Sequence, residues 1–255
     1  MSDAVDDHGT ALGSVGSFRR VVSLVPSLTE AVAVSAPGLL VGATDYCTHP
    51  PTLDVPRVGG SKYPDLAALR DLAPDLVITN TEENRLADAT ALRDAGIPVW
   101  VTDAPTTVLA GLASTRRLVE ALGASPAWLA EADEIWAPTT PAWATAIIPV
   151  WRKPWVVVGR DTFAGDVLLR LGVRNAYATD PERYPRPTLE ALNATPANLA
   201  ILPDEPYEFT PEDGPNWFPT KRSVLITGRY LTWYGPSLTT ARAALTTALT
   251  NAAPA

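Results

Sequence analysis

The chain has 255 residues, 46% hydrophobic and 19% charged, with a net charge of −8. That balance excludes a disordered chain and fits one large domain or two smaller lobes. The absence of any Lys/Arg cluster excludes nucleic acid and anionic membrane surfaces as partners, and a single Cys excludes an internal disulfide.

Residues 1–17 show no periodicity and several small polar residues, and read as a flexible tail. No basic stretch followed by an apolar one opens the chain, so the expected location is cytoplasmic. The alternative is an extracytoplasmic protein whose true start lies upstream. The longest apolar runs, such as "AIIPV" and "WVVVG", are too short to insert in a membrane.

From residue 18 to 105 a first α/β lobe is expected. "RRVVSLVP" (19–26) reads as a buried strand, and "SLTEAVAVSA" (27–36) as a helix with Ser27 as N-cap and Glu30 completing a capping box. "LLVGAT" (39–44) is the next strand and "DLAALRDLA" (65–73) a helix capped by Asp65. "DLVITN" (75–80) is a strand, "ENRLADATALRDAG" (83–96) a helix ended by Gly96, and "PVWVT" (98–102) a strand.

Residues 106–148 read as a linking helical region, built from "TVLAGLASTRRLVEALG" (107–123) and "PAWLAEADEIWA" (126–137). Trp128, Trp136 and Trp143 are expected to be core there. A second α/β lobe spans 149–255: "WVVVG" (155–159) as a strand, "GDVLLRLG" (165–172) as a helix and "LEALNAT" (189–195) as a short helix. "LAILP" (199–203) and "SVLITG" (223–228) follow as strands, and "SLTTARAALTTALTNA" (237–252) as the last helix. The fold class expected is α/β: two Rossmann-like lobes with parallel sheets flanked by helices, joined by helix.

Ligands of open α/β sheets bind beyond the carboxyl ends of the strands. Those segments hold Tyr46, Tyr207, Tyr230, Trp233 and Tyr234, flat surfaces for a bulky ligand. In "DYCTHPP", Asp45, Cys47 and His49 alternate, so in an extended segment they share one face and form a candidate metal set. A buried packing role for Cys47 is the alternative. Asn80, Glu82, Glu83 and Asn84 read either as a helix start or as polar groups for a ligand edge. Arg160 and Asp161 either pair with each other or offer a guanidinium to a ligand anion. Ser27, Lys62, Tyr63 and Arg229 complete the candidate ligand-binding residues.

"RVVSLVPSLTEAV", "LVGATDYCTHPP", "VPRVGG", "LRDLAPDLVI" and "AGIPVWV", in this order, resemble the helical-backbone substrate-binding proteins of ABC importers, of the cobalamin and iron-chelate type. "EENR", "WRKPWVVVGRDTF" and "GRYLTWYGPSL" resemble the helical-backbone metal receptor subgroup. The resemblance implies a rigid long helix between the lobes and one ligand held in a cleft between them. It places Tyr46 where a relative sets an aromatic on the corrin, so that His49 faces the ligand or coordinates the ligand's own metal. It also implies transporter docking through Glu190. On the first lobe Ala67 stands where a docking Glu is expected, with Asp65 nearby.

The function expected is therefore non-catalytic binding of a metal-containing small molecule, cobalamin or another corrinoid favoured, with no intrinsic cofactor. A ferric siderophore or haem is the alternative ligand. An enzyme or metal-handling factor using Cys47, His49, Glu82 or Glu83 is a reading from another class, and a regulatory module with a protein partner a third.

Overall fold

The structure, a computed structural model, describes residues 3–251. Met1 and Ser2 of the expected tail and Ala252 of the expected last helix lie outside those residues. The chain divides into two compact units. The first comprises Met1–Ala104, Gly111–Ala130 and Tyr234–Pro236; the second comprises Pro105–Ala110, Glu131–Trp233 and Ser237–Ala255. The residues expected to link two lobes are thus shared out between both units.

The chain opens with β1 (Asp3–Val5), β2 (Ala11–Ser14), β3 (Val21–Ser23), α1 (Pro26–Ser35) and β4 (Leu40–Ala43). Then come α2 (Leu66–Asp71), β5 (Leu76–Asn80), α3 (Leu86–Asp94) and β6 (Val99–Thr102). Strands β3 to β6 form a parallel sheet in the order β4-β3-β5-β6. Val22, Leu24, Val77, Val99 and Val101 pack on Leu69 of α2 and on Ala89 and Leu92 of α3. Apolar side chains on both faces of β3 and β5 explain why these strands read as unbroken apolar runs.

From Asp3 on, the expected tail is folded. β1 and β2 pair antiparallel, and the turn between them is tied to β6. Asp6 Oδ2 accepts from Val101 N at 3.2 Å, while Asp7 N donates to Val101 O at 3.3 Å. Short-range pattern could not reveal this, because the partners lie about a hundred residues away.

The second unit follows through α4 (Val108–Ala121) and α5 (Ala127–Trp136), both shared between the units. It continues with β7 (Ala144–Ile147), β8 (Pro149–Trp151), β9 (Val156–Val157), α6 (Phe163–Arg170) and β10 (Val173–Asn175). It closes with α7 (Leu189–Ala194), β11 (Leu199–Pro203), β12 (Arg222–Ile226), α8 (Gly228–Thr232) and α9 (Leu238–Asn251). Its parallel sheet runs β10-β7-β11-β12. Counted within each parallel sheet, both have the strand order second, first, third, fourth. The strand order therefore reverses beside β3 and β5 in one sheet and beside β7 and β11 in the other.

Several local expectations are corrected. α1 starts at Pro26, with Val25 in the N-cap position. Proline's fixed φ suits the first helical residue, so Ser27 lies inside the helix, buried, and no capping box forms. α3 starts at Leu86 rather than at residue 83. "WVVVG" contributes only a two-residue strand, antiparallel to β8. Alternate backbone groups of this segment pair with another loop: Val157 N donates to Pro185 O and Gly159 N to Arg183 O. The sequence reading omitted β7 and β10, and "GRYLT" is the helix α8, not a loop. Trp128 and Trp136 are core, but Trp143 is 40% exposed.

Candidate functional site

In the first unit, the rim where the strand order reverses is tied by two asparagines. Asn84 Nδ2 donates to Leu24 O beyond β3 at 3.2 Å and to Ser61 O at 2.9 Å, and its Oδ1 accepts from Asn80 N at 2.7 Å. Asn80 Oδ1 accepts from the backbone of Glu82 (2.8 Å) and Glu83 (3.2 Å), an Asx-type turn. Asn80 Nδ2 faces Thr102 Oγ1 at 3.1 Å and the Tyr234 hydroxyl at 3.0 Å. Both asparagines are buried, so they shape the rim instead of presenting themselves at it. Burial, and then the Glu83 carboxylate, hold the Tyr234 phenol well above its usual pKa, so it stays protonated.

Around this frame lie exposed groups. Tyr46 is 65% and Tyr63 76% exposed, and the Arg85 guanidinium sits 4.9 Å from the centroid of Tyr63. Lys62 Nζ donates to Glu82 O at 2.5 Å. The segment after β4 does not present Asp45, Cys47 and His49 on one face: Asp45 is exposed and Cys47 fully buried. The reason is a turn at Asp45–Tyr46, which breaks the extended alternation. Cys47 Sγ lies 3.1 Å from both Thr29 Oγ1 and Thr44 Oγ1, and burial raises its thiol pKa. His49 Nδ1 is engaged with Thr48 Oγ1 at 3.0 Å. Among the described residues, no group of three His, Cys, Asp or Glu side chains is placed to hold a metal ion.

In the second unit, the corresponding rim lies beyond β7 and β11. Trp151 ends β8, which begins two residues after β7 ends, and Arg152 follows it; Glu205 and Tyr207 follow β11. Asp213 is the hub. It pairs with Arg152, accepts from Trp217 Nε1 at 3.0 Å and from the Tyr207 hydroxyl at 2.5 Å. The Tyr207 and Trp217 bonds keep the Asp213 carboxyl below its usual pKa. Arg152 lies 4.8 Å from the Trp217 centroid and 5.9 Å from that of Tyr207, and the Trp151 ring meets Tyr207 edge-on at 5.8 Å. Beneath them Trp155 contacts Phe209 and Phe218, anchoring the loop in the core.

Beyond β12, Arg229 sits over Tyr230 at 5.4 Å and Trp233 at 5.8 Å. Trp233 and Tyr234 are buried, Tyr230 partly so. Burial and the neighbouring Asp204 raise the Glu205 pKa. Gly228 packs on this residue so closely that a Cβ there would lie 2.7 Å from Glu205 O. Arg160 and Asp161 form the exposed ion pair foreseen as one alternative, at 3.3 Å. Glu190 is exposed in the first turn of α7, with its carboxyl pKa lowered by backbone and Thr188 hydrogen bonds. Asp65 is already occupied as the N-cap of α2, accepting from Ala67 N and Ala68 N.

The sequence reading missed Trp151, Arg152, Asp213, Trp217 and Glu205. "WRKPW" directly after an apolar run was the available signal, but with β7 unrecognised it did not register as a strand-end segment.

No family model matches the chain, and no curated protein sequence does. Solved structures do. The periplasmic haem-binding protein RhuT from Roseiflexus sp. RS-1 is 20% identical, with 93% of this chain and 100% of that one covered at a TM-score of 0.75. For a periplasmic haem-binding protein from Pseudomonas aeruginosa the values are 24%, 93%, 94% and 0.74. For the periplasmic vitamin B12 binding protein BtuF of Vibrio cholerae they are 19%, 92%, 98% and 0.71. The chain thus has the fold of these two-lobe binding proteins, the fold the resemblance implied. The cytoplasmic expectation is overturned: these three proteins, which share the fold, are periplasmic, which favours the extracytoplasmic alternative.

Proposed function

We propose that the chain is a non-catalytic binding protein for a flat metal chelate, with a corrinoid such as cobalamin the favoured ligand and haem the next. The observation that carries this reading is the coincidence of exposed aromatic and guanidinium groups with the strand ends where each sheet's order reverses. Tyr46, Tyr63 and Arg85 are exposed at one such rim; at the other Trp151 is exposed, beside the part-buried Tyr207. Relatives in fold are named for haem and vitamin B12, which supports that ligand class. Any metal then arrives within the ligand. A nucleophilic or metal-ligating Cys47 is disfavoured, since a buried thiol held protonated between two threonines is neither reactive nor accessible. An ABC importer is the partner that this reading implies, with Glu190 its exposed charged contact.

Titration of purified protein with hydroxocobalamin and, separately, hemin tests the proposal by absorbance. Saturable binding well below ~100 μM is expected for one of them. No binding of either at that concentration sinks it.

A further inference from the structure

We propose that the indoles of Trp151, braced edge-on by Tyr207, and of Trp217, pinned through Asp213, form a preassembled stacking wall that takes the flat face of the ligand, not its acidic groups. The inference rests on the binding function proposed above and specifies the chemistry of the second unit's rim.

Position comes first. Trp151 and Tyr207 stand beyond β7 and β11, where the strand order of their sheet reverses and where an open α/β sheet offers its crevice. Exposure is the second point: Trp151 is 44% and Trp217 37% exposed, although both belong to a unit with a substantial apolar core. Large indoles left open on a rigid frame are recognition groups more than packing groups.

Charge decides which part of a ligand is recognised. The Arg152 side chain is only 15% exposed and pairs with Asp213, so the guanidinium is locally neutralised. Stacked beside Trp217, it stiffens the wall and is not left to meet a ligand anion. Asp213 reaches all three neighbours with two oxygens: Oδ1 faces Arg152 and Trp217, and Oδ2 the Tyr207 hydroxyl. It is a positioning residue, setting ring orientation before any ligand arrives, which spares the cost of ordering those side chains on binding.

The test compares wild type with Trp151→Ala, Trp217→Ala, Asp213→Ala and Asp213→Asn. Trp143→Ala serves as a control that removes another exposed indole from the same unit. Dissociation constants for hydroxocobalamin and hemin are measured beside thermal melting and the induced circular dichroism of the bound chromophore. Trp151→Ala and Trp217→Ala should weaken binding on the order of 10-fold or more, while Trp143→Ala changes it less than about 2-fold. Asp213→Ala should weaken binding and alter the induced dichroism, with Asp213→Asn recovering part of both through its remaining acceptor. Folded Trp151→Ala and Trp217→Ala variants that bind like wild type overturn the wall but leave the binding function standing. Binding of neither probe by wild type overturns both.

Discussion

Asn84 carries more of the first unit's rim than its size suggests. Three backbone groups depend on its amide: Leu24 O and Ser61 O, which lie outside the strands and helices, and Asn80 N at the last residue of β5. Asn84→Ala leaves these groups unpartnered in a buried place, a loss of ~1–3 kcal/mol. Urea denaturation should show the midpoint falling with an unchanged slope; an unaltered midpoint would refute the bracing role. Glu205 acts in the opposite sense. Burial and Asp204 raise its pKa in the folded chain, so the folded state binds the proton more tightly than the unfolded one. Stability contributed by this group therefore declines as pH rises from the ordinary glutamate range through the raised folded value. Above that window the penalty is complete. Glu205→Gln should raise the melting temperature at pH 8, and its advantage should shrink as the pH falls toward 4. A melting temperature that drops at pH 8 would show that the charge is compensated.

Among the elements, the sequence disclosed those set by local rules. Asp65 caps α2 as expected, and Gly96 and Gly172, both at φ near +80°, end α3 and α6 where side chains are disfavoured. Apolar runs marked β3, β5, β6 and β11. β7 escaped because "ATAI" has little strand propensity alone and follows a proline-interrupted stretch; its neighbours β10 and β11 make it a strand. With β7 hidden, the Trp151 wall was hidden too, since its location had meaning only as a strand end. The hairpin β1–β2 was equally illegible, being held by distant groups. Asp7 accepts from Ser114 Oγ at 2.5 Å, Arg117 Nε at 2.9 Å and Asp103 N at 3.1 Å. The loop it anchors lies along β6, the terminal strand of its sheet, whose edge would otherwise invite pairing with another chain. Asp7→Ala should cost ~1.5–3 kcal/mol, because charge-assisted bonds are lost. Amide hydrogen exchange should quicken in β1, β2 and β6 before it does in β5. Uniform exchange across the unit would argue against a latch.

At the scale of the molecule, two units with separate cores give a thermodynamic readout of binding. One core gathers around Val22, Val77 and Leu92, the other around Ile147, Leu202 and Phe218. A ligand stabilises whatever folded unit it touches by RT ln(1 + [L]/Kd), about 2.7 kcal/mol at a hundredfold excess over Kd. For a unit of this size that amounts to a rise of roughly 10 °C in the affected transition. Scanning calorimetry with hydroxocobalamin should show such a rise, and Trp151→Ala should reduce it in the transition of the second unit. Because Trp151 is a surface residue, the same substitution should leave the melting of ligand-free protein within a degree or two. A large fall in the ligand-free protein would instead assign Trp151 to the core. A transition that stays fixed under saturating hydroxocobalamin would mean that the corrinoid adheres to folded and unfolded chains alike, which a preassembled wall does not allow.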